Sequence, residues 1–159
     1  MKIENLKFKV FSKRLARELG IFETHKVVNI DIKNKNITYE ETTRGGLNSD
    51  SFDDVVLLQY TTFNDITNEE LYDGDIIITK DENISLISIE DNLSGVWLDG
   101  DMINNEYIKK NKLRKIGTVF EKEALQKIYN TGYICKEYLK DKYGLSNNYL
   151  DKIKKINNY

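Results

Sequence analysis

Asp73-Gly74-Asp75 and Asp99-Gly100-Asp101 each set two carboxylates around a glycine, a pattern that invites divalent-cation chemistry. A calcium loop needs further oxygen ligands at fixed spacing and a distal glutamate, and neither tripeptide is followed by them. Turn formation is the simpler role for both. One histidine, His25, and one cysteine, Cys135, are too few for the usual structural zinc sites or an internal disulfide. No serine or cysteine triad, Walker loop or dinucleotide fingerprint is present. Catalytic, cofactor-binding and metal-ligating residues are therefore assigned to none, and the expectation is a protein that is not an enzyme. His25 reads as a surface or boundary residue and Cys135 as helix core.

Binding chemistry has more to draw on, because the charge comes in blocks. Residues 1–38 hold nine Lys/Arg against four Asp/Glu (+5), residues 39–106 two against seventeen (−15), and residues 107–159 thirteen against five (+8). Kept apart in space, these blocks would give a dipolar surface that steers oppositely charged partners; folded back, the basic ends would neutralise the middle. The first arrangement makes Asp65, Glu69, Glu70, Asp73, Asp75, Asp99 and Asp101 candidates for an acidic face that imitates nucleic-acid phosphates and occupies a basic groove on a protein partner. A rival lies in the tail. Leu139, Tyr143, Gly144, Leu145, Leu150 and Ile153 follow the apolar and glycine spacing of a helix-turn-helix, with Asn147, Asn148, Lys152 and Lys155 on the would-be recognition helix. Lys140 departs from that pattern, which places a small residue where the two helices cross. A helical hairpin packed on the core, or a subunit contact, accounts for the same spacing.

The elements that position these residues can be read from periodicity. Leu6 to Phe11 alternates apolar and basic residues, as a half-buried strand does. Ser12 is an N-cap for a short helix that Gly20 closes. Val27 to Ile32 and Ile37 to Glu41 flank an asparagine-rich turn and form a hairpin, and Thr42 to Asp54 reads as a loop. Val55 to Tyr60 is a strand followed by a loop through Asn64 and Asp65. Ile76 to Thr79, Ile84 to Ile89, Gly95 to Leu98 and Lys112 to Phe120 complete the β region. From Glu121 the period becomes helical through Leu125, Ile128, Gly132, Cys135 and Leu139, and a second helix starts at Ser146.

The run Leu58-Gln59-Tyr60-Thr61, with Leu71-Tyr72-Asp73-Gly74-Asp75-Ile76-Ile77 after a polar loop, resembles the "QYTG … IYEGDIV" pattern of the YopX family of bacteriophage and prophage proteins. Leu6 to Phe11 is similar to that family's "IKFRAWD" opening, and Ile116-Gly117 with Phe120-Glu121 to its "VIGNIYE" segment. Two departures stand out: Thr62 occupies a position where the family favours glycine, and Ile66-Thr67-Asn68 replaces a Lys-Asn-Gly turn. The resemblance implies a β-rich fold and a phage or prophage origin rather than a reaction. Within the motif, Gln59, Tyr60, Tyr72 and Gly74 are expected to be architectural.

The expected fold is mainly β, a small barrel or coiled antiparallel sheets, with a C-terminal α-helical hairpin, α+β overall. Residues 1–120 would form the YopX-like β-rich domain, and 121–159 a helical extension packed on it. No apolar run is long enough to span a bilayer, and MKIENLKFKV is too mixed in charge for a secretory signal, so a cytoplasmic protein of a bacterial host cell is expected. The expected function is that of a phage accessory protein binding a basic protein partner, an inhibitor of a host defence nuclease such as a CRISPR effector being the natural case; the alternative is a DNA-binding regulator. Homo-oligomerisation is compatible with either.

Overall fold

The structure, a computed structural model, describes residues 7–90, 96–98, 101–131 and 135–156. The chain divides into two compact units, Met1–Tyr60 and Thr61–Tyr159.

In the first unit, β1 (Phe8–Ser12) runs into α1 (Lys13–Leu19) through Ser12, whose hydroxyl accepts the Leu15 N–H at 3.1 Å; Gly20, left-handed at φ 67°, ends the helix. Cap and terminator are the ones the sequence indicates. β2 (Thr24–Asp31) and β3 (Asn36–Glu40) form the expected hairpin, its turn held by Asp31, which accepts the Asn34 N–H at 3.0 Å and the Asn34 side-chain amide at 2.8 Å. The segment expected as a loop between 42 and 54 is otherwise: β4 (Leu47–Ser51) pairs with β3, and a 3-10 turn (Phe52–Asp54) leads into β5 (Val55–Asn64), which pairs with β1. β4 reads LNSDS, with no apolar alternation to betray a strand. What anchors it is Asp50, 5 % exposed, whose carboxylate accepts the Ser12 hydroxyl at 2.7 Å, the Tyr39 hydroxyl at 2.6 Å and the Arg14 guanidinium. Val10, Leu15, Ile37 and Tyr39 form the core of this unit, with Val27, Ile30 and Val55 packed around them.

The second unit opens with the last residues of β5, beside β6 (Glu70–Tyr72). The strand thus extends past Tyr60, where a loop was expected. β7 (Asp75–Ile78), β8 (Ile84–Ile89), β9 (Val96–Leu98), β10 (Asp101–Met102) and β11 (Arg114–Thr118) make a second sheet in the order β10-β9-β8-β7-β11. The other sheet runs β4-β3-β2-β1-β5-β6. Each order has two free ends, so neither sheet closes, and of the two expected architectures the coiled antiparallel sheets are the one formed. A short helix, α2 (Asn105–Asn111), precedes β11 and has no counterpart in the sequence reading; its single buried residue is Ile108, too little apolar periodicity to announce a helix. Leu71, Ile77, Ile87, Ile103, Ile108 and Leu113 form the core here.

Among the described residues, three C-terminal helices stand where a hairpin of two was expected: α3 (Lys122–Tyr129), α4 (Lys136–Tyr143) and α5 (Asn147–Ile156). The apolar period from Leu125 to Leu139 is carried by two helices, and Cys135 is the exposed residue before α4 rather than helix core. α3 packs on β7, β8, β11 and α5. Gly117 makes that approach fit, since a Cβ there would stand 2.6 Å from the Ala124 Cβ. This is a physical reason for the glycine in the segment similar to "VIGNIYE".

Candidate functional site: motif carboxylates and the C-terminal helices

The family-like stretch is built as a turn whose carboxylates look inward. In the loop after β5, Asp65 is 5 % exposed; one oxygen accepts the Thr67 N–H at 2.8 Å, the Thr67 hydroxyl at 2.7 Å and the Glu69 N–H at 2.9 Å, and the other accepts the Lys115 N–H at 2.9 Å. Burial alone would raise its pKa; the donors, led by the Lys115 N–H, outweigh it and hold the carboxyl below the usual range. Thr62 and Asn68 take up φ of 70° and 71° at the two positions where the family pattern has glycine. The backbone bends as glycine would allow, although this chain has no glycine there. Asp75, 2 % exposed, accepts the Tyr72 N–H at 2.7 Å and lies 3.3 Å from the Lys115 ammonium, which also reaches Glu69 at 3.8 Å. Gly74, at φ 89°, donates its N–H to the Ile87 carbonyl and accepts the Val119 N–H.

Asp73 points to the C-terminal helices. It accepts the Tyr143 hydroxyl at 2.8 Å and faces the Lys142 ammonium at 3.4 Å; Lys142 in turn donates to the Ile89 carbonyl at 2.8 Å and meets Glu90 at 3.3 Å, while the Tyr138 hydroxyl donates to Glu90 at 2.5 Å. Burial pushes the Asp73 carboxyl up, and the Lys142 charge offsets only part of the effect. For Lys142, burial pulls the other way from the charge of Asp73, and the net direction is upward. The ammonium also lies over the Tyr138 and Tyr143 rings, 5.8 and 5.6 Å from their centroids. This network fastens α4 to the β6–β7 turn and the end of β8. Sequence reasoning did not find Lys142, Tyr143, Tyr138 or Glu90 as partners of Asp73, because the Asp73–Tyr143 pair is 70 residues apart in the chain and no local pattern links them.

The acidic candidates therefore do not form one face. Asp65 and Asp75 are interior and structural, which corrects their assignment to a partner-binding surface, and Asp73 is occupied by α4. Glu69 is exposed and Glu70 half-buried. Asp99 and the side chain of Asp101 lie outside the described residues. The charge blocks dissolve in the same way: the first unit holds ten Lys/Arg against nine Asp/Glu (+1) and the second fourteen against seventeen (−3). Arg14 and Arg17 meet Asp50 and Asp54 in the first, and Lys115 and Lys142 meet Asp75 and Asp73 in the second. Of the two arrangements weighed, the basic ends fold back. Among the described residues no three metal-ligating side chains come together.

Tyr72 is buried, and Gln59 and Tyr60 are half-buried on β5, Tyr60 with the Lys7 ammonium 5.3 Å from its ring centroid. His25, expected near the surface, is 1 % exposed, stacked on Tyr39 at 5.2 Å, with Nδ1 accepting the Thr42 N–H at 3.1 Å. Burial, its largest influence, lowers its pKa.

In the tail, Leu139, Tyr143, Leu145, Leu150 and Ile153 are all buried, and Gly144 turns the chain at φ 65°. Asn147, Asn148 and Lys152 are exposed on α5. Lys140 is partly exposed, 3.7 Å from Glu137, and Lys136 bridges to Asp151 at 2.7 Å. The side chain of Lys155 lies outside the described residues. No helix among the described residues is long and apolar enough to cross a membrane.

The crystal structure of protein EF1440 from Enterococcus faecalis is similar in fold, with a TM-score of 0.53 and 16% identity over 76% of this chain and 96% of that one. No curated protein matches the chain. The family model described as YopX protein matches residues 7–127, the two β-sheets, the turn built on Asp65, Asp73 and Asp75, and most of α3, and the chain belongs to the YopX family.

Proposed function

We propose that the protein is a non-enzymatic accessory protein of phage or prophage origin that acts in the bacterial cytoplasm by binding duplex DNA through α4 and α5. The observation that carries this reading is the division of α5: five apolar positions of a helix-turn-helix spacing are buried across α4, the Gly144 turn and α5, while Asn147, Asn148 and Lys152 are left in solvent. Asparagine amides can pair with the exposed edge of adenine in the major groove, and a lysine can hold phosphate or guanine. A basic protein partner, such as a defence nuclease, has less to hold, since only Glu69 and Glu70 of the described acidic candidates reach the surface, and Glu69 already faces Lys115.

Deleting residues 133–159 would be a poor test, because it would expose the surface that Leu139, Tyr143, Leu150 and Ile153 cover. The better one is selection of duplexes from a random pool, followed by anisotropy titration of the selected site. Asn147→Ala and Asn148→Ala should each cost about 1–3 kcal/mol on the selected site and far less on an unrelated one. A chain that selects no sequence would end the proposal.

A further inference from the structure

We infer a second nucleic-acid contact surface at the junction of α2 and β11, formed by Lys109, Lys110, Lys112 and Arg114 and taking the sugar-phosphate backbone without regard to sequence. It is independent of α5. The four side chains are exposed, and no carboxylate among the described residues pairs with any of them. The remaining cation of this run, Lys115, is the contrast: its side chain is 9 % exposed and held by Asp75 and Glu69. The run thus separates one structural lysine from four exposed cations within seven residues.

The helix macrodipole explains part of this. Lys109 and Lys110 lie in the last turn of α2, where the unpaired carbonyls favour positive charge. It does not explain Lys112, which caps the helix in the left-handed conformation at φ 49°, a position that favours glycine or asparagine. Nor does it explain Arg114, first residue of the edge strand β11; a charged edge does discourage pairing with another chain, but one side chain would serve for that. Leu113 between them is fully buried and fixes the backbone, so the cations flank a rigid point. The Lys80 N–H donates to the Asn111 carbonyl at 2.9 Å, which brings a fifth exposed cation to the edge of the patch. Asp81 and Glu82 bound it on that side, and Glu106 one turn back on α2.

From Lys109 to Arg114 the chain can span at most about 18 Å even fully extended. The helical part shortens this, so the four charges act within one or two screening lengths at physiological salt. That shortened span lies along about three or four phosphates on each strand of a duplex. Tyr107, the nearest aromatic in sequence, packs against the core, which favours phosphate contact over base contact.

The test uses the full chain and a 24-base-pair duplex of arbitrary sequence, a little over about two helical turns, with the dissociation constant followed against salt. The variant Lys109→Gln/Lys110→Gln/Lys112→Asn/Arg114→Gln should keep its melting temperature, since no described ion pair is removed. Its log–log salt slope should fall by about 3 to 4, and binding at ~0.1 M salt should weaken by at least about tenfold. Arg114→Gln alone should lower the slope by about one. A fall of less than about two in the fourfold variant, or no binding by the parent chain at ~50 mM salt, overturns the inference. Asn147→Ala/Asn148→Ala, measured on the same duplex, should leave the slope unchanged, so loss of sequence selection and loss of this surface are read separately.

Discussion

Replacing Thr62 by glycine should stabilise the protein, against the ordinary preference of strands for threonine. Thr62 lies in β5 at φ 70°, a conformation that costs an L-residue about 1–2 kcal/mol, with β-branched residues among the least tolerant. Its side chain is exposed, and none of its contacts is among the hydrogen bonds that hold the turn. Glycine would relieve the strain but adds freedom to the unfolded chain, a cost of about 0.5–1 kcal/mol. The difference is a gain of about 0.5–1 kcal/mol, or roughly 1–4 °C in melting temperature for a chain of this size. Urea unfolding followed by circular dichroism, with the same m-value in both proteins, gives the free energy directly. Thr61→Gly is the control: that neighbour is buried, and its hydroxyl donates to the Leu71 carbonyl at 2.8 Å, so the same substitution one residue away should destabilise. Should Thr62→Gly cost about 0.5 kcal/mol or more, the backbone strain assigned to this position would be wrong.

Gly117→Ala should destabilise by about 1–3 kcal/mol, read as a lower urea midpoint, because the new methyl would meet Ala124 and push α3 from β11. Asp50→Ala strands the Tyr39 and Ser12 hydroxyls and the Arg14 charge and should cost about 3 kcal/mol; thermal melting will report it. His25 has a folded pKa below its ordinary 6.5, so the unfolded chain binds the extra proton first. Stability should therefore fall as pH drops from about 6.5 toward the folded value, and His25→Phe should flatten that part of a melting-temperature profile. Lys142→Met should leave Asp73 buried without its counter-charge and loosen α4, seen as faster amide hydrogen exchange in residues 136–143.

How far the sequence could be read depended on the range of the interaction. Ser12 and Gly20 were legible because a cap and a terminator act within four residues of themselves. The apolar strands at 76–79 and 84–89 were legible because β-rich runs bounded by turns need no partner to be recognised. β4 was not, since LNSDS becomes a strand through Asp50 and its contacts with Ser12, Arg14 and Tyr39. His25 was misplaced for a related reason: one ring on a strand shows neither the Tyr39 stack nor the Thr42 N–H that make it an interior residue. The acidic block misled most, because counting charge along a chain says nothing about which carboxylates will be used up by backbone N–H groups or by lysines far away. The apolar spacing of the tail was legible because its five positions act locally, and their burial is what a helical hairpin packed on the core and a helix-turn-helix both require.

The pairing of the acidic middle with the basic ends also sets an order of assembly as the chain leaves the ribosome. In the first unit Asp50 meets Ser12, Arg14 and Tyr39, all made before it, so its charge can be satisfied as soon as it emerges. The second unit is different. Asp75 waits for Lys115, and Asp73 for Lys142 and Tyr143, near the end of the chain. At elongation rates of about 5–20 residues per second, the turn at 73–75 stays incomplete for several seconds, its carboxylates without their cations. The first unit can complete its ion pairs during synthesis, and the second, which begins within the family motif, completes its own only after Lys142 and Tyr143 are made.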